Sequence, residues 1–122
     1  MHELALMQAL VDRLETLARD HRATRIVRFT VEIGDLSNVV PELLQTAWDA
    51  IREISPALRT TTMEIRRVPL EVECLACHHI FQPRQLRFHC PACNSTKTQT
   101  LRGEDIVLRD VELEIPDPED HP

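Results

Sequence analysis

The sequence predicts an α+β fold: a small three-stranded sheet covered by two helices, with a four-cysteine, zinc-ribbon-like lobe inserted before the last strand. Three observations lead to this prediction. Apolar residues recur with helical spacing in two segments and alternate with strand spacing in three. All four cysteines lie between the second and the third strand-like segment. The 122 residues are enough to bury one real core, which must be aliphatic because only 3% of them are aromatic.

In the first half of the chain, the spacing of apolar residues predicts a helix, a strand and a second helix, in that order. The first helix begins almost at the N-terminus, since apolar residues follow one another at spacings of three and four: Leu4, Met7, Leu10, Val11, Leu14, Leu17 and Ala18. From Arg25 the spacing changes to two, and Gly34 ends this strand. Pro41 suits the first turn of the second helix, where a missing N–H costs nothing, and Pro56 lies just past its end. The buried stripe predicted for the second helix consists of Leu44, Ala47, Trp48 and Ile51.

Two further strands are predicted, at 61–68 and at 106–115, the latter with Val111, Leu113 and Ile115 in alternation. Because two strands alone cannot complete a sheet with a second layer, we expect the last strand to return and pair with them. Residues 1–70 and 103–116 would then form the α+β domain. Residues 71–102 would form the cysteine lobe, and 117–122 a disordered acidic tail.

Composition and charge limit the function classes. The net charge of −6 argues against a general nucleic-acid binder, although residues 74–102 carry Arg84, Arg87, Lys97 and Arg102 and no acid. The chain opens with neither a basic region nor an apolar run, so we expect a cytoplasmic protein with reduced thiols and no membrane segment. We find no nucleophile elbow and no phosphate loop, and therefore expect no enzyme.

The cysteines predict a metal site. Cys74 and Cys77 form one C-x2-C pair, Cys90 and Cys93 form another, and two such turns facing each other supply a tetrahedral four-thiolate zinc site. Such turns need a left-handed residue after the second cysteine; His78 and Asn94 occupy these positions. A structural zinc is favoured over iron and over paired disulfides.

Three histidines lie beside these cysteines. His78 and His79 follow Cys77, and His89 precedes Cys90. They could replace a thiolate ligand or respond to pH in the physiological range. We favour their assignment as exposed residues of the cysteine turns.

The N-terminus carries a second candidate site. If Met1 is retained, its amine, the amide of His2 and the imidazole of His2 are neighbouring nitrogen donors, which suit planar Ni(II) or Cu(II). Alone this signal is weak, because a frayed terminus with a solvated imidazole, and with Glu3 favouring the helix start, is ordinarily the better explanation.

The sequence resembles the HypA/HybF family of hydrogenase nickel-incorporation accessory proteins. The matching features run in order along nearly the whole chain: Met1-His2-Glu3-Leu4, Ile33-Gly34-Asp35-Leu36-Ser37, Val40-Pro41-Glu42-Leu43, the two C-x2-C pairs with Cys90-Pro91-Ala92-Cys93, and Gly103-Glu104-Asp105.

The resemblance implies a nickel metallochaperone with a structural zinc site. It implies that His2 and Glu3 bind nickel and that Cys74, Cys77, Cys90 and Cys93 bind zinc. It also implies delivery of Ni(II) to the [NiFe]-hydrogenase large-subunit precursor with a HypB-type GTPase, by a monomer or weak homodimer. Some relatives place an acidic residue near nickel in the loop before the second helix; this chain has residues 38–40 there without an acid, and Glu42 is the nearest substitute.

Two other functions compete with this one. A zinc ribbon that binds nucleic acid would use the basic lobe, with Phe81 and Phe88 stacking on bases. A plain interaction module would use the zinc only to hold its fold. Nickel binding that depends on His2 separates the interaction module from the metallochaperone, and weak nucleic-acid binding with little salt dependence would exclude the zinc ribbon.

Overall fold

The computed structural model describes residues 2–83 and 87–116. The predicted tail at 117–122 and Arg84 lie outside the described residues. In chain order the elements are α1 (His2–Asp20), β1 (Arg25–Gly34), α2 (Pro41–Ile54), a short 3-10 helix (Pro56–Leu58), β2 (Thr62–Val68), β3 (Glu71–Cys74), β4 (Ile80–Phe81), β5 (Thr98–Arg102) and β6 (Ile106–Glu114). The predicted helices and three long strands are all present.

The strands form two three-stranded sheets. One has the order β2-β1-β6, which confirms that the last strand returns to pair beside the first. The other has the order β4-β3-β5 and belongs to the cysteine region, for which the sequence predicted a lobe without assigning strands. Both neighbours of β3 are antiparallel to it, and Glu73 lies opposite Ile80 on one side and Gln99 on the other.

The chain divides into two compact units. The helical unit contains the described residues up to Val31, Val39–Ile65 and the described residues from Leu108 onward. The cysteine unit contains Glu32–Asn38 and Arg66–Val107. The domain boundaries expected from the sequence at 70 and 103 stay a prediction.

The core of the helical unit joins both helices to β1. The stripe predicted for α2 is buried, and Phe29 of β1 packs edge-on against Trp48 with ring centroids 5.2 Å apart. On α1 the buried apolar residues are Met7, Leu10, Val11 and Leu14. Leu4 was expected in the same stripe but is exposed, and the buried residue in that first turn is Glu3.

The solvent side of the sheet carries ion pairs within the helical unit. Arg28 of β1 lies between two carboxylates, with its Nε 2.8 Å from Glu112 and its Nη1 3.7 Å from Glu64. All three side chains are about half exposed, so each pair contributes at most about 1 kcal/mol. The strand β6 ends at Glu114, and Ile115, which was expected to continue the alternation, is exposed beyond it.

The chain's two glycines meet in the cysteine unit. A Cβ added to Gly34 would lie 2.4 Å from the carbonyl carbon and oxygen of Gly103. Gly103 has a φ of +92°, and a Cβ there would lie 2.5 Å from the Cα of Leu70. Backbone therefore packs directly on backbone at this crossing, and glycine is required at both positions.

Candidate metal centre

Two matching turns present the four cysteines. The first turn follows β3, where the N–H of Cys74 donates to the carbonyl of His79 at 2.9 Å. In the second turn the N–H of Cys90 donates to the carbonyl of Ser95 at 3.0 Å. The same backbone pattern, offset by sixteen residues, thus places two cysteines from each turn at one point.

The backbone of both turns confirms the expectation for the residue after each second cysteine. His78 has a φ of 64° and Asn94 a φ of 63°, both in the left-handed region. There the N–H of His78 donates to the carbonyl of Cys74 and the N–H of Asn94 to the carbonyl of Cys90, each at 2.8 Å. These bonds close the turns so that the thiols of each pair face the same side.

The four sulfur atoms have the spacing of a tetrahedral metal site. Sγ of Cys74 lies 3.5 Å from Sγ of Cys93, and Sγ of Cys77 lies 3.5 Å from Sγ of Cys90. All four lie within 4.8 Å of one another, and none is in a disulfide. Zinc–sulfur bonds of about 2.3 Å in a regular tetrahedron separate the sulfurs by about 3.8 Å. The cluster therefore fits zinc or another thiophilic ion of similar size.

The protonation of the thiols points to the same conclusion. Hydrogen bonds from the backbone N–H groups of Cys77 and Ala76 lower the pKa of the Cys74 thiol to about 6. At Cys77 the N–H of His79 acts in the same direction, but contact with the Cys90 thiol and desolvation outweigh it and raise the pKa to about 12. The close packing of the thiols thus opposes ionisation at Cys77, and a cation among the four sulfurs would favour the thiolate form.

The neighbouring histidines lie outside this cluster. Among the described residues, the only group with metal-binding donors so close together consists of the four cysteines. The Nδ1 of His78 lies 3.0 Å from the carboxylate of Glu73, the ring of His79 stacks on Phe81 at 6.1 Å, and His89 is exposed. This arrangement agrees with their assignment as surface residues of the turns.

At the N-terminus, His2 and Glu3 differ in exposure. His2 is exposed in the first turn of α1, whereas Glu3 is buried with 9% of its surface accessible. The Glu3 carboxylate accepts a hydrogen bond from the N–H of Val40 at 3.2 Å. This bond, together with the N–H of Glu3 itself, holds the pKa of that carboxyl below its usual value.

The Glu3 carboxylate therefore fixes the start of α2 against the start of α1. Val40 directly precedes the first residue of α2, and no side chain from its own segment caps that helix. The sequence indicated Val40 only as part of a shared motif and not as the partner of Glu3, because a hydrogen bond across 37 positions leaves no pattern in the residue types. The terminal amine of Met1 lies outside the described residues.

None of the described helices combines the length and the apolar character that a membrane crossing requires.

Comparisons with known proteins agree on one family. Residues 1–113 match the family model described as hydrogenase/urease nickel incorporation, metallochaperone, hypA. The hydrogenase maturation factor HypA of Shewanella sp. (strain MR-7) is 34% identical over 117 residues, covering 96% of this chain and 98% of that protein. The HypA of Aquifex aeolicus (strain VF5) is 34% identical over 116 residues, covering 94% and 99%.

Solved structures show the same fold. The solution structure of the Ni metallochaperone HypA from Helicobacter pylori superposes with a TM-score of 0.68 at 27% identity, covering 93% of this chain and 98% of that one. A second solution structure of a HypA protein gives a TM-score of 0.70 at 29% identity, covering 93% and 96%.

Proposed function

The chain belongs to the HypA family of nickel metallochaperones for hydrogenase maturation, and from this premise we propose that it binds Ni(II) through nitrogen donors at its N-terminus. The proposed donors are the imidazole of His2 and the neighbouring backbone nitrogens, including the amide of Glu3. The observation that carries the proposal is that His2 and Glu3 differ in whether their side chains are already engaged. His2 is exposed, while the Glu3 carboxylate is held by Val40.

The position of these nitrogens suits a metal chelate. The first four N–H groups of a helix have no acceptor within the helix, so the amides of His2 and Glu3 lose no helical hydrogen bond when they bind an ion, and the Glu3 N–H gives up only its contact with its own carboxylate. An imidazole and adjacent amide nitrogens form the planar nitrogen set that Ni(II) prefers. Because an amide must lose its proton to bind, nickel affinity falls as pH falls, which favours release in acid.

Glu3 contributes through its backbone in this proposal. Its carboxylate is already engaged with Val40, and the loop at 38–40 offers no acid in its place. Glu42, the nearest substitute, is exposed on α2. We therefore assign Glu3 the roles of amide donor and of anchor for the first turn.

The four cysteines are proposed to hold a structural zinc. A closed four-thiolate site has no open position for a substrate, so the zinc would stabilise the cysteine unit without chemistry of its own. Nickel is then the cargo. Delivery to the [NiFe]-hydrogenase large-subunit precursor, help from a HypB-type GTPase, a cytoplasmic location and a monomeric or weakly dimeric state are proposals that follow from the resemblance.

A nickel titration of tag-free protein tests the N-terminal site. We expect one Ni(II) per chain with a planar absorption spectrum, lost in His2→Ala, while one zinc per chain is retained. The matched control is His21→Ala, which removes an exposed imidazole at the other end of α1 and should leave nickel binding unchanged. Equal nickel affinity in His2→Ala and in the unaltered chain would contradict the assignment.

A further inference from the structure

Two thiol contacts in the four-cysteine cluster join one cysteine turn to the other. Sγ of Cys74 lies 3.5 Å from Sγ of Cys93, and Sγ of Cys77 lies 3.5 Å from Sγ of Cys90. Each contact pairs a buried residue with an exposed one, since Cys74 and Cys90 are buried and Cys77 and Cys93 are exposed. An oxidant in the solvent therefore reaches one thiol of each contact, and a second thiol lies directly against it.

We propose that the cluster is also a site of reversible oxidation, at which a peroxide forms two disulfides across the turns, Cys74–Cys93 and Cys77–Cys90, and the metal is released. The pairing of the thiols follows from the contacts, whereas the release of zinc rests on the proposed function. Cysteines that respond to oxidants are typically accessible and lie beside a second thiol that resolves the first oxidation product. Both contacts meet these two conditions.

The reaction has two steps at each contact. The exposed sulfur attacks one oxygen of the peroxide, the O–O bond breaks, and the products are a sulfenic acid and water. The buried sulfur then attacks the sulfenic sulfur, so that the S–S bond forms, the S–O bond breaks and the hydroxyl leaves with a proton as water. In total, four metal-bound thiolates, two hydrogen peroxides and four protons give two disulfides, four waters and the free Zn²⁺ ion.

Disulfides across the turns would keep the cysteine unit together after the metal has left. The two sulfurs of each contact have to approach from 3.5 Å to about 2.0 Å. The bonds would link residues 19 and 13 positions apart, and therefore restrict the unfolded chain far more than bonds between cysteines of the same turn. A thiol reductant would then restore four thiols in a unit that is still folded and ready to bind zinc again.

Peptide mapping reads the pairing directly. Trypsin cleaves after lysine and arginine, so it places both cysteines of the first turn on the peptide 68–84 and both cysteines of the second turn on the peptide 88–97. Disulfides across the turns join these peptides, and disulfides within the turns leave them separate. Zinc-loaded protein is treated with two equivalents of hydrogen peroxide, and zinc release is followed with a chromogenic chelator. We expect one zinc released per chain and joined peptides whose fragmentation assigns Cys74–Cys93 and Cys77–Cys90.

Reduced, metal-free protein is oxidised in parallel and should give the same pairing, so that the pairing is tested even if the purified chain holds no zinc. Two matched variants each lose two ligands: Cys77→Ser/Cys90→Ser keeps one contact, and Cys77→Ser/Cys93→Ser keeps the two buried thiols. We expect the first to form its disulfide about fivefold faster or more.

Joined peptides with the expected pairing, and recovery of one zinc per chain after dithiothreitol and zinc are added, support the proposal. Separate peptides, equal rates in the two variants, or oxidation to sulfinic acid without a disulfide overturn it. Absence of zinc from the untreated protein contradicts the zinc assignment and the metal release, and the metal-free experiment then decides the pairing alone.

Discussion

Replacing Asn94 by glycine and by alanine separates backbone conformation from side-chain chemistry in the second cysteine turn. Asn94 holds a φ of 63°, and its N–H closes the turn on Cys90. For most residues with a Cβ this conformation costs about 1–2 kcal/mol of conformational free energy. The cost is smaller for asparagine, and glycine adopts the conformation freely. We therefore expect Asn94→Ala to destabilise the turn by about 1 kcal/mol, and Asn94→Gly to be neutral or stabilising.

Zinc affinity reports this difference, because folding of the turn and binding of the metal are coupled. At 1.4 kcal/mol for each factor of ten, Asn94→Ala should bind zinc about fivefold more weakly than the unaltered chain. Competition with a chromogenic chelator measures the affinity. Thr96→Gly is the control, since Thr96 is not among the described residues with positive φ and glycine brings no relief there. Equal zinc affinities for the glycine and alanine variants would refute the reasoning.

The remaining predictions concern the helical unit. Because the folded pKa of Glu3 is lowered, its carboxylate stabilises the fold above the unfolded pKa near 4.5, and this contribution disappears as pH falls through the folded pKa. Glu3→Gln should therefore lower the Tm at pH 7, and the Tm values of the variant and the unaltered chain should converge near pH 3. The control is Glu15→Gln, which changes an exposed carboxylate on the same helix. A Tm difference that does not vary with pH, or one that Glu15→Gln shares, would argue against this role of Glu3. Phe29 is fully buried against Trp48, so Phe29→Ala should cost about 3–5 kcal/mol in chemical denaturation followed by the fluorescence of the single tryptophan. A loss below about 1 kcal/mol would show that this contact is not part of a rigid core.

The elements of the helical unit could be predicted because their patterns are local. The alternation before Gly34 and the stripe around Trp48 each depend on neighbours a few positions apart. The left-handed backbone at His78 and Asn94 was predictable for the same reason, since it follows from the spacing of the cysteines.

Apart from the return of the last strand to the first sheet, features that depend on long-range contacts could not be predicted. Leu4 has helical spacing but is exposed, because Glu3 occupies the buried position beside Val40. The strands β3, β4 and β5 are too short for a period to be visible and are defined by their pairing and by the cysteine turns. Asp110 has a φ of 51°, and the alternation of exposed and half-buried residues along β6 is interrupted there. No glycine in the sequence indicates this position.

The contact between Gly34 and Gly103 limits how this sequence can change. Where side chains separate two segments, a substitution on one segment can be accommodated by repacking the other. Here a Cβ on Gly34 would meet the main chain of Gly103, and a Cβ on Gly103 would meet the main chain of Leu70. Main-chain atoms are present in every residue type, so a substitution cannot remove them. No second-site substitution can make room for a larger residue, so both positions stay closed to replacement while the surface around them remains free to vary.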